Sequence, residues 1–476
     1  MSQGTQATTS LPPGPKGLPY LGQALRYQKD PFGFFVWMRE HYGDISRDAS
    51  SGFPLMQIYS PEAIEHVLVR NAKNYHKDRI LKSWDLVFGE GLLVTEGDHW
   101  KRDRRVIQPA FSRARLAEYE GLMQRHAERV GGSVKWRSGQ SLNVLEEMTE
   151  LTLRIALDSL FGEEANAEVA KQDMRDVSKA LKALADWFEF SSGAFMALTL
   201  LLPRFPFPRK IRYERAVTRL DAILSRIIER KRREFQKSGA ASNDLLGALI
   251  SASDPEAGQT PAFTDRQVRD HALTFFLAGH ETTSLALTYI LRLLALHPEV
   301  QSQLRGALRG CVSREEVPGI PSKTQRLAQL EKCDLLDQVI DEAMRLYPPA
   351  AVTAREAVGD DLISGYRIPA GTTVVIPTWA IHRDPRFFGH DVETFRPGRW
   401  TPEFRKALPR AVYLPFGFGP RMCIGFSFAI QEMKLILAEL LLKHEFSVAP
   451  GGRPLRLQSS VTMRPRDPVL LQVRTL

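Results

Sequence analysis

Phe416-Gly-Phe-Gly-Pro-Arg-Met-Cys-Ile-Gly425 sets a single cysteine, Cys423, in a glycine-rich turn directly ahead of an amphipathic helical pattern. Gly417 and Gly419 let the backbone turn tightly and approach a flat ligand, while Arg421 brings a cation two residues from the thiol. Backbone N–H groups at the coming helix start favour S⁻ over SH, and Gly425 keeps that start free of bulk. Most intracellular cysteines are small buried hydrophobes; this setting instead suits a thiolate presented to a metal. Two other readings fail on spacing. A dinucleotide loop needs a third glycine where Met422 stands, and no strand-helix-strand unit surrounds the segment. His280-Glu-Thr-Thr-Ser284 opens like a zinc-protease helix but ends in serine where the second histidine ligand belongs.

The segment resembles the haem-binding signature of the cytochrome P450 family, Phe-x-x-Gly-x-Arg-x-Cys-x-Gly, and Phe416, Gly419, Arg421, Cys423 and Gly425 fill its fixed positions. The resemblance implies a mainly helical α+β fold with small sheets, a long central helix over a haem b, and Cys423 as axial iron ligand from a proximal loop. It also implies one domain over residues 11–476 behind a disordered polar N-terminus at 1–10, where length alone suggests about three domains. The proline-rich Leu11–Pro19 matches the family's entry segment.

Thr264-Asp-Arg-Gln267 is a capping box that opens a helical pattern running to about Leu296, roughly 50 Å at about 1.5 Å per residue. Near its middle, Ala278-Gly-His-Glu-Thr-Thr283 weakens the helix ladder: Gly279 costs roughly 1 kcal/mol, and consecutive threonines bond back to carbonyls. The plain alternative is a buried helix whose threonines satisfy themselves. This stretch resembles the family's oxygen-binding groove. By that resemblance Ala278 and Gly279 form the opening, Thr282 hydrogen-bonds oxygen and Glu281 helps deliver protons.

Glu342-Ala-Met-Arg345 puts a carboxylate and a guanidinium one helical turn apart, a pattern that alone reads as a surface salt bridge. It matches the family's Glu-x-x-Arg, and Arg399 in Phe395-Arg-Pro-Gly-Arg-Trp400 resembles the residue completing a buried structural network. Gly398 departs from the glutamate of many members. Haem propionates require cations or donors in a mostly apolar slot. The resemblance assigns Trp100, Arg104, Arg355 and Arg421 to them, with Lys82 as a fifth; the alternative for each cation is a solvated surface charge. Phe275, Ala351, Val352 and Val461 are expected to line an apolar substrate cavity.

A chain of 476 residues with 43% hydrophobic content buries a large core. Cys311, Cys333 and Cys423 are odd in number and show no close pairing, which argues against a disulfide scaffold and for a cytoplasmic location. No signal-peptide core or span of about twenty apolar residues precedes Leu11, and the run Ala194–Leu202 is too short to cross a bilayer; core or channel lining is its expected role. Basic residues exceed acidic ones by nine (64 − 55), interleaved as in Glu229-Arg-Lys-Arg-Arg-Glu234, and no nucleic-acid motif appears. Two short strands are predicted between Ile45 and Ile58 around Ser50-Ser51-Gly52, then a helix at 61–70. Tyr213, Val217, Leu220, Leu224 and Ile227 give one apolar helix face, with loops at 237–243 and 251–261. Strands follow between Val352 and Ile376.

The resemblance implies a monomeric monooxygenase that inserts one atom of O₂ into an unactivated C–H bond of an apolar fatty acid, terpenoid, carotenoid or steroid. Alternatives are a peroxide-dependent haem-thiolate hydroxylase, against which Glu281-Thr282 argues, and a haem gas sensor or carrier. Only 53 residues follow Cys423 (476 − 423), so electrons are expected from NAD(P)H through a separate ferredoxin or flavodoxin and its reductase. Lys101, Arg102, Arg105, Arg421 and Lys434 are expected to make the docking face positive.

Overall fold

The computed structural model describes residues 10–17, 23–48, 54–82, 84–136, 139–162, 171–192, 199, 202, 205–254, 261–312, 325–451, 454–459 and 461–476. Residues 1–9 of the polar N-terminus, the turn at 50–52 and most of the apolar run 194–202 lie outside them. Asp30 caps helix α1 (Pro31–Tyr42), its Oδ1 accepting from Gly33 N at 2.9 Å. The predicted strands follow as β1 (Ile45–Asp48) and β2 (Leu55–Ile58), then a helical turn from Pro61 to Arg70 capped by Ser60, and β3 (Tyr75–His76). Helices α2 (Gly97–Ile107) and α3 (Arg113–Gly131), strand β4 (Ser141–Asn143) and helices α4 (Val144–Phe161), α5 (Lys171–Ser192) and α6 (Pro208–Ser238) come next. On α6, Tyr213, Val217, Leu220, Leu224 and Ile227 are buried, as their spacing predicts.

Thr264 then starts α7 (Asp265–Leu296): its Oγ1 accepts from Gln267 N at 3.3 Å while Gln267 Oε1 accepts from Thr264 N at 3.1 Å. The helix is continuous through Gly279, where the sequence predicts a weakened ladder. It packs on α4 and α6 and is pinned to α4 where Thr152 Oγ1 donates to His280 O at 2.8 Å. Helices α8 (Pro298–Cys311) and α9 (Asp334–Leu346) lead into β5 (Thr353–Ala357), β6 (Asp361–Ile363), β7 (Tyr366–Ile368) and β8 (Thr373–Ile376). After the cysteine loop come α10 (Phe426–Lys443), β9 (His444–Val448), β10 (Leu457–Ser459), β11 (Met463–Pro465) and β12 (Leu470–Thr475).

Strands pair in the order β1-β2-β8-β5-β3, with only β2 and β8 parallel among them; β4-β12-β9 form a second sheet, and β6-β7 and β10-β11 are antiparallel pairs. One core fills the helices around α7; a second lies under the larger sheet. A small third group holds Phe32, Leu285, Tyr289, Ala351 and Met463, against the β10-β11 pair. Among the described residues, no helix is long and apolar enough to cross a membrane.

Candidate active site

Between β8 and α10 the chain turns twice through left-handed backbone, at Gly417 (φ 76°) and Gly419 (φ 75°). Glycine is required at Gly419 for a second reason, since a Cβ there would lie 2.5 Å from Leu68 O. The loop closes when Cys423 N donates to Phe416 O at 2.9 Å, and Gly425 forms the N-cap of α10. Cys423 is solvent-accessible, yet protein atoms crowd it enough that burial raises its thiol pKa. The Gly425 N–H and the Arg104 guanidinium pull it down by less. The helix-start donor favours the thiolate as expected, with burial acting against it more strongly.

Arg104 and Trp100 lie on α2, with the guanidinium 5.9 Å from the indole centroid; Arg421 stacks on the other part of that ring system at 4.2 Å. Arg421 also pairs with Glu96, and its pKa falls to about 10, burial leading and the Arg355 and Arg104 charges adding to it against Glu96. Arg355, on β5, is buried and donates to Ala354 O at 2.7 Å. Lys77 joins them: its ammonium is held well below the usual lysine range by burial and then by Arg355 and Arg421. Lys77, rather than the expected Lys82, is the lysine of the cluster. Lys82, at the end of a short helix from Arg79, is exposed. Three cations, Lys77, Arg355 and Arg421, therefore share two carboxylates, Glu96 and Asp78, and Arg421 Nη1 is buried with no hydrogen-bond partner among the described residues. Such a surplus beside an accessible thiol fits a flat metal cofactor bearing two carboxylates, as haem does.

On α7 burial is interrupted at Leu277–Gly279 and Glu281–Thr282, and a Cβ on Gly279 would meet no atom within 4 Å. Thr282 Oγ1 and Thr283 Oγ1 bond back to Ala278 O (2.8 Å) and Gly279 O (3.0 Å), as expected. This open strip and the cysteine loop share a neighbour in Phe111: its ring packs edge-on against Phe275 at 5.5 Å, and its Cε1 is 3.9 Å from where a Gly425 Cβ would stand. An opening of about 400 Å³ is lined by Arg104, Arg105, Gln108, Pro109, Phe111 and Ser112. The expected cavity residues are not gathered into it. Ala351 is packed in the third core, Val352 borders the core under the sheet, and Val461 is 40% exposed at the β10-β11 turn.

Three participants escaped the sequence reading. The Glu281 carboxylate is held by Arg464 (Nη2 at 2.7 Å, Nε at 2.8 Å) and by the Thr462 hydroxyl, both on the β10-β11 pair. That pair is itself fixed by Tyr289 OH donating to Met463 O at 2.7 Å. Glu432, on α10, is fully buried, hydrogen-bonds Thr283, and is pushed well above the usual carboxyl range by burial. A glutamate inside the apolar run of α10 was the available signal.

The predicted Glu342 network is complete and dry. Arg345 meets Glu342 through two bonds, Nε–Oε2 at 2.8 Å and Nη2–Oε1 at 2.9 Å; Arg399 Nε reaches Oε1 at 3.3 Å, and Trp400 Nε1 donates to Oε2 at 2.9 Å. His382, the third missed residue, continues it: Nδ1 lies 3.2 Å from Arg345 O, and Nε2 accepts from Leu414 N at 2.8 Å, two residues before the cysteine loop. Burial and then the Arg345 charge lower its pKa to about 3.

The cations expected to make a positive docking face are paired. Lys101 meets Asp98 at 2.7 Å, Arg102 and Arg105 meet Asp254 at 3.4 and 3.1 Å, and Lys434 meets Asp337 at 2.7 Å with its side chain buried. Lys101 takes its acid from the adjacent helical turn, whereas Arg102, Arg105 and Lys434 take theirs from distant segments.

The sequence matches the family described as Cytochrome P450 over residues 12–473. The chain belongs to the cytochrome P450 family. Cyclooctatin synthase of Streptomyces melanosporofaciens is 32% identical over 458 residues, covering 95% of this chain and 93% of that one. The putative cytochrome P450 132 of Mycobacterium bovis is 33% identical, with 90% and 89% covered, and cytochrome P450 3A13 of Mus musculus is 29% identical, with 97% and 90% covered. Among solved structures, the cytochrome P450DA heme domain superposes with a TM-score of 0.81 at 27% identity over 98% of each chain. This P450 is a haem-thiolate monooxygenase by family.

Proposed function

We propose that this P450, acting as one domain over residues 11–476, inserts one atom of O₂ into an unactivated C–H bond of an apolar terpenoid-like substrate. The observation that carries it is the surplus of cations beside the accessible Cys423 sulfur. Cys423 would bind the iron, while Trp100, Arg104, Arg355, Arg421 and Lys77 would hold the carboxylates of the haem. The cofactor supplies, when bound, the centre at which dioxygen is activated. Around it the chain's own groups divide the remaining work. Ala278 and Gly279 leave room beside α7. Thr282 offers a hydroxyl there, now bonded to Ala278 O, and Glu281 holds a carboxylate whose orientation Arg464 and Thr462 set. Glu432, whose pKa burial raises well above the usual carboxyl range, lies next to Thr283. Phe275, Phe111 and the β10-β11 turn with Val461 would meet an apolar substrate and exclude water. Two relatives named for cyclooctatin and cyclooctat-9-en-7-ol support a cyclic hydrocarbon skeleton. A ferredoxin or flavodoxin in the cytoplasm is the proposed electron source.

Cys423→Ser tests the assignment. The variant should lose the strongly red-shifted Soret band of the reduced carbon monoxide complex, which only thiolate ligation gives. Retention of the band would place the ligand elsewhere.

A further inference from the structure

The two cysteines outside the haem loop, separated in sequence by 22 positions (333 − 311), are neighbours in space. Cys311 is the last residue of α8 and is half-buried; Cys333 is the N-cap of α9 and is 2% exposed. Cys311 Sγ lies 3.7 Å from the carbonyl of Lys332, the residue before Cys333, and the two thiols are near enough to influence each other's ionisation. Backbone bonds hold both ends: Val312 N to Leu308 O at 2.8 Å, and Cys333 N to Leu330 O at 3.1 Å. Neither thiol has a part in the site described above.

We propose that Cys311 and Cys333 form a dithiol that hydrogen peroxide oxidises to a reversible disulfide, tying the end of α8 to the start of α9. The environments divide the roles. Burial pushes the Cys333 thiol up to about 11, which leaves the more accessible Cys311 as the attacking sulfur. Its thiolate attacks one peroxide oxygen; the S–O bond forms, the O–O bond breaks, and the departing hydroxide is protonated to water. Cys333 then gives up its proton and attacks the sulfenic sulfur of Cys311. The S–S bond forms, the S–O bond breaks and a second water leaves, so two thiols lose two electrons and one peroxide gains them. Peroxide is what a monooxygenase releases when electrons reach oxygen without reaching substrate. The helix being tied carries Glu342 and Arg345.

The test uses the full-length haem-loaded protein, treated briefly with hydrogen peroxide, alkylated, digested and read by mass spectrometry. A cross-linked peptide pair containing Cys311 and Cys333, lost on treatment with dithiothreitol, is the expected result. Cys333→Ser should accumulate a sulfenic acid at residue 311 that a dione probe traps. In Cys311→Ser, oxidation at Cys333 should be at least about tenfold slower than disulfide formation in the parent. The proposal is overturned if both cysteines stay alkylatable in the parent protein, or if Cys311 proceeds to the sulfinic acid while Cys333 remains a thiol.

Discussion

Burial outweighs the one hydrogen bond with Thr283 and raises the Glu432 pKa well above the usual carboxyl range. An unfolded glutamate ionises near pH 4.3, so above about that pH the folded chain binds one more proton than the unfolded chain, and stability falls by about 1.4 kcal/mol per pH unit up to the raised native pKa. Glu432→Gln removes the titration and keeps the shape. Denaturant unfolding at about pH 6.5 and 8 should show the variant at least as stable as its parent and with a shallower pH slope; equal slopes would mean that Glu432 is ionised in the fold. Glu281 is paired with a cation, Arg464. Removing it in Arg464→Gln should leave the carbon monoxide spectrum intact. Product formed per reductant consumed should fall about two- to fivefold, the scale of a partly exposed ion pair; unchanged coupling would remove Arg464 from any role in orienting the acid. Neither partnership was legible beforehand. Glu281 and Thr282 are adjacent in a recognisable stretch, whereas the residues that hold or face them come from β11 and α10, and sequence spacing says nothing about such meetings.

The elements were more legible than their contacts. The capping box at Thr264, the apolar face of α6 and the strands at 45–58 follow from local chemistry, and local chemistry is what a sequence pattern records. Lys77 carries no motif, and its place beside Arg355 and Arg421 follows from tertiary contacts that local sequence does not record. His382 joins two elements by accepting from Leu414 and bonding Arg345 O. Its native pKa of about 3 lies below the unfolded value near 6.5, so the unfolded chain binds the extra proton between them. Stability from this residue is full above about pH 6.5 and is lost by about 1.4 kcal/mol per unit as pH falls toward 3. His382→Asn should start less stable, having lost a buried partner for Leu414, and should decline less steeply over about pH 6 to 4. A parallel decline in the two proteins, followed by urea unfolding, would show the imidazole to be charged when folded.

Across the whole molecule, Lys101, Arg102, Arg105 and Lys434 are each engaged in ion pairs rather than left free to make a positive docking face. Stopped-flow reduction by an acidic ferredoxin should therefore slow by less than about tenfold between about 0.1 M and about 1 M salt, while the Debye length shrinks from about 10 Å to about 3 Å. A fall of about a hundredfold would reveal a charged docking face that these pairs do not supply.

The Glu281–Arg464 contact spans 183 residues of chain. A ribosome adding about 5–20 residues per second needs roughly 10–40 s to cover that distance, and all that time the acid of α7 waits without its cation. A segment synthesised later thus sets the orientation of a group made earlier. A chain cut short before β11 retains the cysteine loop, α7 and the Glu342 network, and so every motif by which the family is known, while lacking the partner that fixes its acid.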